Sequence, residues 1–116
     1  MHELSIAANI IEIVEENATQ NKSDRVVLLE LEIGEMSGII SEALKMALEI
    51  SVKGTIIENT EIKIYEVPGE AQCNNCKEIF AIHDLYSLCP RCNSNDNRIT
   101  KGKEMKIKSI TFESEL

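Results

Sequence analysis

All four cysteines of this 116-residue chain fall in two Cys-x-x-Cys pairs, Cys73-Asn74-Asn75-Cys76 and Cys89-Pro90-Arg91-Cys92. Twelve residues, Lys77 to Leu88, separate them. Each pair offers two sulfurs on one tight turn, and two such turns face to face make a tetrahedral four-sulfur site. Zinc suits that geometry, at about 2.3 Å per Zn–S bond, and with four protein ligands it has no open position, so the expected role is structural. Iron in the same frame would give an electron-transfer site. Two disulfides would need an oxidising compartment, and nothing in the sequence marks export. A dithiol redox pair would leave the second pair unexplained. Asn75 and Asn93 tolerate the left-handed backbone that such turns need, and Pro90 pre-sets one turn. His83, between the pairs, reads as an exposed loop histidine or as an alternative ligand when a thiolate is lost.

A second candidate site lies at the amino end, Met1-His2-Glu3. A histidine so near a terminus is ordinarily a mobile surface residue. Its position allows more: the imidazole of His2 lies beside its own backbone amide, and the α-amine is one residue away. Neighbours of this kind close five- and six-membered chelate rings. Deprotonated amide nitrogens with an imidazole give a square-planar field that suits Ni(II) or Cu(II) and not zinc. Glu3 adds an adjacent amide nitrogen and a carboxylate, and a helix starting there would hold the site on a rigid stem.

Composition narrows the partners. The formal net charge is −8, more negative still once four thiolates hold a divalent ion, and this argues against nucleic acid. With two Tyr, two Phe and no Trp, a base-stacking platform is not expected either. No apolar run has the length of a membrane span. The N-terminus lacks a basic n-region, so no signal peptide is expected, and the reduced cysteines point to the cytoplasm. No nucleophile–base pair, no phosphate-cradling glycine loop and no metal with an open face is visible, so an enzyme is not expected.

The elements that must position these residues follow from periodicity. Leu4, Ala7, Ala8, Ile11, Val14 and Ala18 recur at helical spacing, with Ile6, Ile10 and Ile13 as a second stripe. Val26 to Ile33 alternates as a strand, with Val27, Leu29, Leu31 and Ile33 inward. Gly34 to Gly38 is a loop. A second helix is predicted over about Ile39 to Lys53, burying Ile40, Ala43, Leu44, Ala47 and Ser51. Strands are predicted at about Glu61 to Val67 and Met105 to Phe112, the latter with a bulge near Ser109 where the inward phase shifts. The expected fold is α+β: a three-stranded sheet with two helices on one face, plus an inserted zinc-ribbon-like knuckle module.

Met1-His2-Glu3 at the start, Ile33-Gly34-Glu35 after the first strand, and the spaced Cys-x-x-Cys pairs together resemble the HypA/HybF family of hydrogenase maturation factors. The resemblance covers essentially the full length. It implies a nickel metallochaperone for [NiFe]-hydrogenase, with a nickel-binding α+β domain over residues 1–68 and 103–116 and a zinc-binding module over 69–102. Carried over by position, His2 is the nickel ligand, Glu3 matches the residue that supplies a backbone amide nitrogen in some family members, and Cys73, Cys76, Cys89 and Cys92 hold Zn2+. The implied partners are a nickel-handling maturation GTPase, the hydrogenase large subunit and, in some organisms, urease maturation proteins. The loop Met36-Ser37-Gly38-Ile39-Ile40 lacks the aspartate that certain members place before the second helix. Histidines that flank the knuckles in some members are also absent. The competing reading is a zinc-ribbon adaptor that recruits proteins without carrying nickel.

Overall fold

The computed structural model describes residues 3–113. Its elements are α1 (Glu3–Gln20), β1 (Val26–Gly34), α2 (Ser41–Ser51), β2 (Glu61–Val67), β3 (Glu70–Cys73), β4 (Ile79–Ala81), β5 (Asn97–Lys101) and β6 (Met105–Phe112). They form an α+β fold with two helices and two three-stranded sheets, ordered β2-β1-β6 and β4-β3-β5. Among the described residues no helix is long and apolar enough to cross a membrane.

The chain divides into two compact units, one of residues 3–32, 40–65 and 106–113, the other of 33–39 with 66–105. In the first, α1 buries Ala7, Ile10, Ile11, Val14 and Ala18, while α2 buries Leu44, Ala47 and Leu48. The helices pack on each other. Of the expected α1 positions, Leu4 and Ala8 are exposed instead. The helix ends where Lys22 takes a left-handed φ of 52° and Ser23 N–H returns to the Ala18 carbonyl at 2.9 Å, closing the last turn. In β1 it is Val26, not Val27, that is buried, the inward phase breaking before Leu29. α2 is shorter than predicted because Ile40 is its N-cap, with extended backbone and an exposed side chain. In β6 the alternation breaks between Ser109 and Ile110, both half-buried, at the position expected for a bulge.

The second unit is held by a smaller core of Ala71, Cys73, Phe80, Ile82 and Cys89. β3 pairs antiparallel with β4, Ala71 opposite Phe80, and with β5, Cys73 opposite Asn97. The three-stranded sheet behind the knuckles was not predicted. At its far end three glycines let backbones cross closely. A Cβ on Gly34 would lie 2.1 Å from the Gly102 carbonyl oxygen, and one on Gly69 would lie 2.4 Å from the Ile82 oxygen. Gly102 itself has φ +80°.

Candidate metal centre

The two cysteine turns are built alike. In the first, Lys77 N–H donates to the Cys73 carbonyl at 3.0 Å and Cys73 N–H to Glu78 O at 2.9 Å. In the second, Asn93 N–H donates to Cys89 O at 2.8 Å and Cys89 N–H to Ser94 O at 3.0 Å. Both turns close with a left-handed residue directly after the second cysteine, Lys77 at φ 68° and Asn93 at φ 61°. Asn93 was expected there. Asn75 was too, but it occupies the place that Arg91 holds in the other turn, and the left-handed step falls on Lys77. Asn75 N–H and Arg91 N–H then point at the first sulfur of their own turns, Cys73 Sγ and Cys89 Sγ, each at 3.4 Å.

The turns bring all four cysteines together, with every Sγ within 4.8 Å of every other. Across the turns, Cys73 and Cys92 sulfurs are 3.6 Å apart and those of Cys76 and Cys89 3.5 Å. Four bonds of about 2.3 Å in a tetrahedron place sulfurs about 3.8 Å apart, so the donor set fits a tetrahedral ion such as zinc. Cys73 Sγ also accepts the Cys76 amide at 3.4 Å. The Cys76 and Asn75 amides, with the neighbouring thiols, hold Cys73 down to about 6 against the opposing effect of burial. At Cys76 the Glu78 amide acts in the lowering sense, but burial and the surrounding sulfurs outweigh it and push the thiol up to about 12. Among the described residues no other group of three or more His, Cys, Asp and Glu converges in this way.

Glu3 opens α1 and is half-buried. His2, expected as the nickel ligand, lies outside the described residues. His83 does not join the cysteines; its Nδ1 is 2.7 Å from Glu35 Oε2, while Glu35 Oε1 accepts the Gly69 amide at 2.8 Å. The Gly69 amide, then the His83 hydrogen bond, lowers the Glu35 pKa. This clamp went unforeseen. The signal was faint: a glutamate after Gly34 and a histidine 48 residues later.

Fold and site together define an α+β protein with a closed four-sulfur metal centre. The family model described as "Hydrogenase/urease nickel incorporation, metallochaperone, hypA" matches residues 1–112, and the chain belongs to this family. A hydrogenase maturation factor HypA of Parabacteroides distasonis is 44% identical over 115 residues, spanning 99% of this chain and 100% of that protein. One of Legionella pneumophila (strain Lens) is 39% identical over 113 residues, 97% of this chain and all of that one. The solution structure of the Ni metallochaperone HypA from Helicobacter pylori superposes with a TM-score of 0.72 at 26% identity, covering 99% of this chain and 100% of that one.

Proposed function

We propose that this chain is a carrier and not a catalyst: it delivers Ni(II) for maturation of [NiFe]-hydrogenase, with Zn2+ held structurally by Cys73, Cys76, Cys89 and Cys92. The observation that carries the reading is the convergence of four sulfurs within 4.8 Å in a chain matched to a nickel-incorporation family over residues 1–112. A closed four-sulfur site gives shape and offers no position for substrate. The cargo then needs ligands elsewhere, and His2 with the amide nitrogens of His2 and Glu3 provides a nitrogen field suited to Ni(II). Copper stands above nickel in intrinsic affinity, so selection must come from geometry and docking. The α+β domain of residues 1–68 and 103–116 carries nickel and the module of 69–102 carries zinc. The nickel-handling maturation GTPase, the hydrogenase large subunit and, in some organisms, urease maturation proteins are the partners, in the cytoplasm.

The test is a nickel titration of the native chain and His2→Ala, both with an untagged N-terminus. The reading expects affinity to fall sharply in the variant; equal affinity removes His2 from the mechanism. The adaptor reading draws on the exposed Leu85, Tyr86 and Leu88 of the loop between the turns. It predicts no specific nickel binding and partner capture unchanged by His2→Ala.

A further inference from the structure

The four sulfurs are not equivalent. Cys73 and Cys89 are buried, Cys76 is half-buried and Cys92 is exposed. Their amide partners differ too, the Glu78 amide acting on Cys76. Cys73 Sγ accepts two backbone N–H groups and Cys89 Sγ one. The donor to Cys92 Sγ is a side chain, the exposed amide of Asn75, at 3.6 Å. N–H groups pointing at a thiolate draw charge from it and weaken its intrinsic nucleophilicity, while burial keeps reagents away. Cys92 has the least of both protections, and Cys73 Sγ lies 3.6 Å behind it.

We infer that Cys92 is a modification site: the thiolate through which two-electron oxidants of the peroxide class open the four-sulfur centre, with Cys73 as the resolving partner. This rests on the zinc reading of that centre. In the first step the Cys92 thiolate attacks one peroxide oxygen. An S–O bond forms, the O–O bond breaks, and the departing hydroxide takes a proton from solvent to become water. Cys92 is now a sulfenic acid, a poor ligand, and peroxide has been reduced by two electrons. In the second step the Cys73 thiolate attacks the Cys92 sulfur. The S–S bond forms, the S–O bond breaks, and hydroxide leaves to be protonated as a second water. Cys76 and Cys89 alone do not complete a four-ligand site, so the ion departs. A thiol reductant reverses the disulfide by exchange. Asn75 acts here as a positioning residue, its amide shielding the sulfur that the fold leaves open.

The experiment uses the full chain. Elemental analysis first establishes one zinc per chain; a chain grown with zinc that carries none overturns the zinc reading and this inference with it. Zinc-loaded protein then receives substoichiometric hydrogen peroxide with dimedone present or absent. Free thiols are capped with N-ethylmaleimide, peptides are mapped by mass spectrometry, and a chromogenic chelator follows zinc release. The expected early products are a dimedone adduct on Cys92 and, without dimedone, a Cys73–Cys92 disulfide. In zinc-replete Asn75→Ala, loss of one hydrogen bond should speed peroxide-driven release about two- to tenfold. A first adduct on Cys73, Cys76 or Cys89, a first disulfide within either Cys-x-x-Cys pair, or equal release from Asn75→Ala overturns the inference while leaving the zinc reading intact.

Discussion

Replacing Gly34 by alanine tests how tightly the second unit is drawn together at its glycine crossing. The added Cβ would stand 2.1 Å from the Gly102 oxygen, and relief to 3.0 Å requires a shift of 3.0 − 2.1 = 0.9 Å against backbone, not against a flexible side chain. The neighbouring Met36 N–H to Gly102 O bond is 2.7 Å long; the same displacement stretches it to about 3.6 Å, beyond a hydrogen bond. Overpacking costs about 1–3 kcal/mol and one lost hydrogen bond about 0.5–1.5 kcal/mol, so roughly 2–4 kcal/mol in all. Amides that exchange only when the second unit opens should exchange about 30- to 700-fold faster, at about 1.4 kcal/mol per decade. Hydrogen exchange read at Ala71, Cys73 and Ile82 of the metal-loaded protein measures this. Gly54→Ala is the control: Gly54 has φ +79° and no atom within 4 Å of an added Cβ, so it carries left-handed strain alone, about 1–2 kcal/mol, and in the other unit. If Gly34→Ala exchanges within about threefold of the native chain, an effect well under 1 kcal/mol, the close crossing is refuted.

Other outcomes follow from the same geometry. Glu30 has its pKa lowered, chiefly by the Tyr65 hydroxyl at 2.7 Å and then by Ser109, and Tyr65 is raised in return by Glu30. The pair therefore contributes stability above the usual glutamate range and below the raised tyrosine value, and Tyr65→Phe should move the Glu30 titration upward by carboxyl NMR. Glu35 is likewise lowered, so its clamp is complete above 4.5 and is lost as pH falls through the lowered folded value; Gly69 amide shifts should follow that titration and become flat there in Glu35→Gln. Nickel binding should weaken as pH drops through about 6.5, where an unperturbed imidazole protonates, and a calorimetric titration series would show it. Stripping the metal with a strong chelator should erase exchange protection at Asn75, Cys76 and Asn93 while Ile10 and Leu44 keep theirs; persistence of protection at the turns would contradict a metal-held module.

Much of this was legible because the signals were long or closed. α1 shows many turns of one period, β6 alternates on either side of a single phase shift, and four cysteines in two pairs leave one sensible pairing of turns. The bounds of β2 and β6 came out as read, punctuated by Pro68-Gly69 and Gly102. β3, β4 and β5 were missed because Glu-Ala-Gln-Cys, Ile-Phe-Ala and Asn-Arg-Ile-Thr-Lys are too short for period-two alternation to rise above chance. Ile40 was read as a core residue because it fits the helical spacing of α2, but spacing does not reveal an extended N-cap. Lys77 at a left-handed φ is another silent case, since its side chain gives no hint and only the likeness of the two turns explains it. The Glu35–His83 contact joins residues far apart in sequence, and local pattern says nothing of such pairs.

The second unit shows why a metal and a carboxylate clamp serve different ends of one small sheet. β3 starts just after Gly69, whose amide Glu35 holds, and ends at Cys73, whose sulfur belongs to the four-sulfur cluster. β4 begins beside Glu78, which accepts the Cys73 amide, and leads to Ile82, whose N–H donates to the Gly69 carbonyl, next to His83 on Glu35. β5 starts after Asp96, which accepts the Asn74 amide, and leads to Gly102, which accepts the Met36 amide. All three strands are thus tied at one end through the cysteine turns and at the other through the glycine crossing. Between the ties, among the described residues, Phe80 and Ile82 are the only large aliphatic or aromatic side chains fully in the buried cluster, with Met36 and Ile99 half-buried against it, a small apolar area for an unaided core. The sulfurs supply what burial lacks at one end, and a hydrogen-bonded crossing open only to glycine supplies it at the other. For that reason the cysteines read as structural even though they are the most chemically conspicuous residues in the chain. A centre that fixes the ends of three strands cannot exchange its ion freely without loosening the sheet, which is why a nickel cargo, as proposed, needs ligands elsewhere.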